Sequence, residues 1–129
     1  MFSTDKFEIR TISNSILRIE FLKGADIDLA DAELVNEQFI EMSEGLNYYI
    51  LLDAKNQFTT TPESRAFVAS KSSGRMAFAI VTNSIANKLV ANFFIQFNKP
   101  NTPTKVFTNE TIALEWLKEQ KKLVEASQK

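Results

Sequence analysis

The side chains that carry most protein chemistry near neutrality are missing from this sequence. It has no histidine and no cysteine. Without imidazole there is no ordinary general base, no Ser-His-Asp triad and no usual zinc or iron ligand. Without thiols there are no disulfides, thiolate nucleophiles or thiolate metal sites, which fits a reducing compartment. Carboxylate, lysine and tyrosine chemistry remains. The best-placed carboxylate is Asp53, where the apolar run YYILLD enters a polar loop. A reaction there would lack its other parts, since no Gly-rich phosphate loop lies nearby. The simpler account is a carboxylate that accepts backbone N–H groups of its own loop. The expectation is a protein that is not an enzyme and has no cofactor and no metal.

Three further groups of residues invite a site. Thr59, Thr60 and Thr61 precede Pro62. Ligands of open α/β sheets sit outside the carboxyl ends of strands, which would join this loop to Thr82, Asn83 and Ser84. The competing account makes Thr61 and Ser84 helix N-caps and leaves the rest as solvated turn; it suits these residue types better. Lys71 and Arg75 flank Ser72, Ser73 and Gly74. They offer an anion site, although cations at a helix end are the simpler reading. In NFFIQF, Phe93, Phe94, Ile95 and Phe97 span too wide an arc to face one core from one helix at about 100° per residue. Part of that surface must meet a second subunit, an apolar ligand or a buried loop, and a homodimer is the plainest answer. The eleven phenylalanines point first to a Phe-built core, and second to an apolar pocket or dimer face.

Hydropathy patterning supplies the elements that must position these residues. FEIRTI, from residue 7 to 12, alternates as a strand. Ser13, Asn14 and Ser15 form a turn. In ILRIEFL, Leu17, Ile19 and Phe21 face one way and Arg18 and Glu20 the other, which predicts a hairpin with one wet face and an edge strand. Asp28 is placed to cap a helix whose stripe is Ala32, Val35, Phe39, Met42 and Leu46, ended by Gly45. YYILLDA and MAFAIVT are apolar without alternation, as expected of central parallel strands. Between them Thr61 and Pro62 start a helix that Gly74 closes. Ser84 caps the next, with Ile85, Leu89, Val90, Phe93, Phe94 and Phe97 apolar; Asn98, Lys99 and Pro100 stop it. KVFT is a short strand. Thr108 caps a last helix carrying Ile112, Leu114, Trp116 and Leu117, with fraying at its end. The order β-β-α-β-α-β-α-β-α predicts an α/β fold: a mostly parallel, mixed sheet with an antiparallel N-terminal edge strand and covering helices.

Length and charge bound the partners. A chain of 129 residues suits one domain, and its ordered core is expected from about residue 5 to about residue 122. A net charge of −1 gathers neither phosphate backbones nor anionic lipid, which argues against nucleic acid. Residues 1 to 20 hold no apolar core of signal-peptide length, and no run approaches the roughly 18 apolar residues that span a membrane. No stable membrane insertion is expected, and the protein reads as cytoplasmic.

The element order, together with YYILLD entering a polar loop and helix, the segment RMAFAIVTNSIANKLVANFF and the ending VFTNETIALEWL, resembles the STAS domains. These are named for sulfate transporters and anti-sigma factor antagonists. The closer likeness is to the bacterial branch described as STAS-like or CRAL-TRIO-like, and it covers nearly the whole chain as a single domain. The resemblance implies that strand end, loop and helix start form a docking site. In STAS antagonists an Asp-Ser-Ser-Gly type motif stands there, and a partner kinase phosphorylates a serine that controls docking. Asp53 matches the strand-end position. Counted without gaps, Thr61, Pro62, Glu63 and Ser64 replace the motif, so Glu63 stands at the acceptor; a shifted alignment offers Thr60, Thr61 or Ser64. The expected function is a non-enzymatic regulatory or protein-interaction module, homodimeric, with Asp53, Phe58, Thr60, Thr61, Ser64 and Arg65 meeting a partner or ligand and Phe93, Phe94 and Phe97 forming a dimer or apolar face. The alternative is a carrier or sensor of a small apolar or lipid-like molecule.

Overall fold

The computed structural model describes residues 1–71 and 74–128. The chain runs β1 (Phe2–Ser3), β2 (Phe7–Ser13), β3 (Ile16–Phe21), β4 (Ala25–Ile27), α1 (Leu29–Met42), β5 (Tyr48–Asp53), β6 (Phe58–Thr60), α2 (Pro62–Ser70), β7 (Arg75–Val81), α3 (Ile85–Phe93), a π-helical turn (Phe94–Asn98), β8 (Thr104–Phe107) and α4 (Glu110–Ser127). Every residue of β5 is buried, as its unbroken apolar run requires of a strand covered on both faces. It lies centrally in a six-stranded sheet of order β1-β2-β3-β5-β7-β8. The pairs β3–β5, β5–β7 and β7–β8 are parallel, while β1–β2 and β2–β3 are antiparallel. The mixed, mostly parallel α/β architecture read from the sequence is therefore the observed one.

Helices cover the sheet unequally. On one face α1, α2, α3 and the π-helical turn close over Leu17, Ile19, Ile50, Leu52, Phe78 and Ile80. On the other, α4 alone packs Ala113 and Leu117 against Ile16, Tyr49, Leu51, Ala77 and Ala79. The caps follow the sequence closely. Asp28 and Asp31 form a reciprocal capping box, Thr61 accepts from the Ser64 amide, and Ser84 accepts from the Asn87 amide. At α4 the cap is Asn109 rather than Thr108, an equally good capping type one residue on.

Several expectations need correcting. Three short strands carried no readable period: β1 lengthens the edge beyond β2, and β4 pairs with β6 in a separate two-stranded sheet. The predicted wet face holds for β2 but not for β3, because α4 begins over it and buries Arg18. Leu46 lies outside the α1 stripe and is exposed, since α1 ends at Met42 and the chain turns at Glu44 and Gly45, both with positive φ. α2 ends at Ser70, before Gly74; Ser72 and Ser73 lie outside the described residues. α4 stays helical to Ser127, where fraying was expected. Among the described residues no helix is long and apolar enough to cross a membrane.

Candidate functional site

Between the sheet and its three-helix cover lies an apolar cavity of about 120 Å³, partly open to solvent. Ile19, Ile50, Leu52, Phe78 and Ile80 of the sheet form its floor. Ala32, Val35 and Phe39 of α1, Phe67 and Val68 of α2, and Val90, Ala91 and Phe94 close the other sides. Its existence follows from the architecture. Helices laid on a twisted sheet diverge, and small residues such as Ala32 and Ala91 do not fill the gap between them.

The threonine loop reaches this cavity. Phe58, Thr60, Ser64 and Arg65 all line it. Phe58 packs edge-on to Phe21, ring centres 4.9 Å apart, which places β6 over the end of β3. Thr60 accepts two hydrogen bonds from Arg65 Nη1, each 2.8 Å, at its carbonyl and its hydroxyl. Thr61 is occupied as the N-cap of α2. Ser64 is only 2% exposed and donates its hydroxyl to the Thr61 carbonyl at 2.8 Å. Glu63, at the position of the family acceptor, is exposed in the first turn of α2. The partner loop across the sheet is also committed: the Thr82 side chain is buried, and Ser84 is a cap.

Asp53 does not join them. It is buried at the end of β5 beneath α4, where its Oδ2 accepts from Arg18 Nη2 at 2.6 Å and its Oδ1 from the Lys55 amide at 3.1 Å. Arg18, 9% exposed, also donates to Glu110 Oε1 at 2.6 Å and to Glu20 Oε1 at 3.2 Å. Burial works against the Arg18 charge, but the hydrogen bonds to Glu110 and Glu20 outweigh it and raise its pKa. The hydrogen bond from Arg18 in turn holds Glu110 below the ordinary glutamate value. This cluster ties β3 and β5 to the start of α4. It is a structural tie, as the loop-organising account of Asp53 anticipated in kind, though the main partner is a guanidinium rather than backbone alone.

The phenylalanine trio is divided by helix geometry. Phe94 is buried, edge-on to Phe78 with centres 6.3 Å apart, and lines the cavity. Phe93 and Phe97 point outward and stack on each other at 5.0 Å and 11°. With Ile85 and Leu89 they form an exposed stripe, 82%, 66%, 50% and 71% accessible in chain order. Residues four apart share a face, so the stripe is one continuous apolar strip.

Among the cavity residues that the sequence did not single out, two fix its geometry, and a third was misassigned. Asn87 is buried and donates to the carbonyls of Ala54 and Asn56, at 2.7 and 2.9 Å, fixing the loop after β5 to α3. Tyr48 lies at the cavity with its ring 5.6 Å from Phe39. Neither residue's type or spacing signals a site. Arg75, read as a cation at a helix end, is instead the first residue of β7 and lines the cavity. Only its neighbour Lys71, the C-cap of α2, fits that simpler account.

One solved structure agrees with this geometry at the level of fold. An uncharacterised protein of the DUF3478 family from Shewanella loihica PV-4, described as having a SpoIIAA-like fold, superposes with a TM-score of 0.63 at 15% identity. The match covers 91% of this chain and 98% of that one. A protein of unknown function from Arthrobacter sp. FB24 is 28% identical over 85% of this chain and 97% of its own, with a TM-score of 0.32. No curated protein matches. Residues 10–121, most of the sheet and all but the end of α4, match the family described as Domain of unknown function (DUF7793). The chain belongs to that family, and its fold is SpoIIAA-like, that is, STAS-like.

Proposed function

We propose that this STAS-like domain is a non-enzymatic sensor or carrier that holds a small apolar molecule between its sheet and helices α1, α2 and α3. The observation that carries the reading is the cavity of about 120 Å³, because four of the six nominated loop residues, Phe58, Thr60, Ser64 and Arg65, converge on it together with Phe94. Apolar walls left open to water in this way carry a hydration cost of roughly 25 cal/mol per Å². A bound molecule recovers that cost, and a cavity of this order holds something as large as a benzene ring. Loop β6 and the start of α2 form one wall, so occupancy would be felt at the surface that STAS antagonists use for docking. Native mass spectrometry of gently purified protein tests the idea, with the same sample denatured alongside. Extra mass that disappears on denaturation is expected. Bare chain that also fails to take up added benzene would sink the reading.

The exposed strip Ile85, Leu89, Phe93 and Phe97 favours a second, compatible role as an interaction face, with a second copy of this chain as the occupant. One strip of this kind meets its symmetry mate without leaving either uncovered. The expected mass in solution is twice that of the chain, and Phe93→Glu with Phe97→Glu should return a folded monomer. An unchanged mass in that variant removes the strip from the interface.

A further inference from the structure

Arg75 is a charge in an unusual place. It is 5% exposed and lines the apolar cavity. A sheet irregularity puts it there. In the β5–β7 pairing, Tyr48 lies opposite Arg75 but Tyr49 lies opposite Ala77, so Met76 is an extra residue. Met76 packs with Ala77 and Ala79 on the α4 side, and Arg75 is turned to the opposite face beside Phe78. Strict alternation would have sent Arg75 under α4. Bulges commonly re-aim one side chain in this way. Gly74 leads into the bulge at φ +83°, where an added Cβ would stand 3.2 Å from both the Leu46 carbonyl and the Tyr48 ring.

The guanidinium is held but not neutralised. Nε donates to Thr102 Oγ1 at 3.2 Å and Nη2 to the Val68 carbonyl at 2.9 Å, and the group lies 5.2 Å from the centre of the Phe78 ring. Among the described residues no carboxylate forms an ion pair with it. Arg18, the other buried arginine, has three. The cavity wall repeats the asymmetry: Arg65, Lys71 and Arg75 line it, with no aspartate or glutamate, in a chain with 16 acidic residues against 15 basic ones. Burial pushes the Arg75 pKa down, with the Tyr48 hydroxyl the other titratable group acting on it. An arginine nonetheless stays charged at neutral pH. Buried charges are ordinarily paired, because an unpaired one bears its full desolvation cost.

We propose that the missing counter-ion is the ligand's: the cavity takes a small apolar carboxylic acid, its carboxylate on Arg75 and its hydrocarbon part against Ile50, Phe78 and Phe94. A planar guanidinium with free N–H groups matches a carboxylate fork. The cavity limits the apolar part to a short chain or a single ring. This inference rests on the cavity reading above and names the chemistry of its occupant.

Calorimetry with hexanoate and 1-hexanol at neutral pH separates the two. Hexanoate should bind at least about tenfold more tightly than hexanol, the scale of a charge-assisted hydrogen bond over a neutral one. In Arg75→Met the preference should vanish while hexanol still binds, which also reports that the variant is folded. Equal binding of acid and alcohol to the unaltered chain overturns the carboxylate assignment and leaves the cavity reading standing. Binding of neither at millimolar concentration overturns both. Because the first comparison needs no variant, it decides the question even if Arg75→Met fails to fold.

Discussion

Removing the ion pair between Arg18 and Asp53 should reveal whether Asp53 is architecture or recognition. The pair is 2.6 Å long, and its side chains are 10% and 8% exposed. Breaking a buried pair by deleting one partner costs about 3–5 kcal/mol, chiefly because the other charge is stranded. Here Arg18 would keep Glu110 at 2.6 Å and Glu20 at 3.2 Å, both partly exposed, so the loss is smaller. Asp53→Leu should therefore cost about 2–3 kcal/mol, and Arg18→Met about 3 kcal/mol, since Asp53 then keeps only Lys55. The double variant replaces both charges by apolar groups of similar size and should lose far less than the sum, giving a coupling of about 2–3 kcal/mol. Urea unfolding followed by the fluorescence of Trp116 suits the measurement. It is the one tryptophan, and it sits 5.5 Å from Phe107 within the α4 packing. With an ordinary urea slope each single change shifts the midpoint by about 1–2 M. A coupling below about 0.5 kcal/mol would refute the structural role and return Asp53 to the list of recognition residues.

Acid should weaken the same cluster. Hydrogen bonding to Arg18 depresses Glu110 below its ordinary 4.5, so its contribution is complete above that value and is lost as pH falls through the depressed one; unfolding midpoints measured against pH should decline there, and less steeply in Arg18→Met. Ala91→Leu should fill the cavity, changing stability by no more than about 1 kcal/mol while abolishing ligand uptake; undiminished uptake would show that the cavity is not the site. Gly74→Ala should cost about 1–2 kcal/mol in thermal unfolding, from its positive φ and the close approach to Leu46 and Tyr48, and a neutral result would contradict the bulge geometry. Thr61→Ala should cost about 1 kcal/mol through the lost cap of α2, read by the same urea titration.

Much of the fold was legible because it depends on local chemistry. Asp28, Thr61 and Ser84 are short polar side chains set before apolar periods, and each caps the helix it precedes. The unbroken runs of β5 and β7 declared strands covered on both faces before any contact was known. The loop nominated from its hydroxyls and from the family resemblance does supply one wall of the cavity. Short strands were illegible for the opposite reason: with two or three residues, β1, β4 and β6 have no period to read, and only the strands they pair with define them.

Element order, helix starts, central strands and the poverty of catalytic groups all follow from composition and local pattern. Tertiary structure alone decided where the charges went. Arg18 meets Asp53 and Glu110 across separations of 35 and 92 residues, which no local pattern encodes. Arg75 faces the cavity because a single extra residue in β7 shifts the alternation of the strand by one. A strand's side chains have period two, so such a slip moves a residue from one side of the sheet to the other. It depends on how β7 registers against β5, and register is a property of the pair.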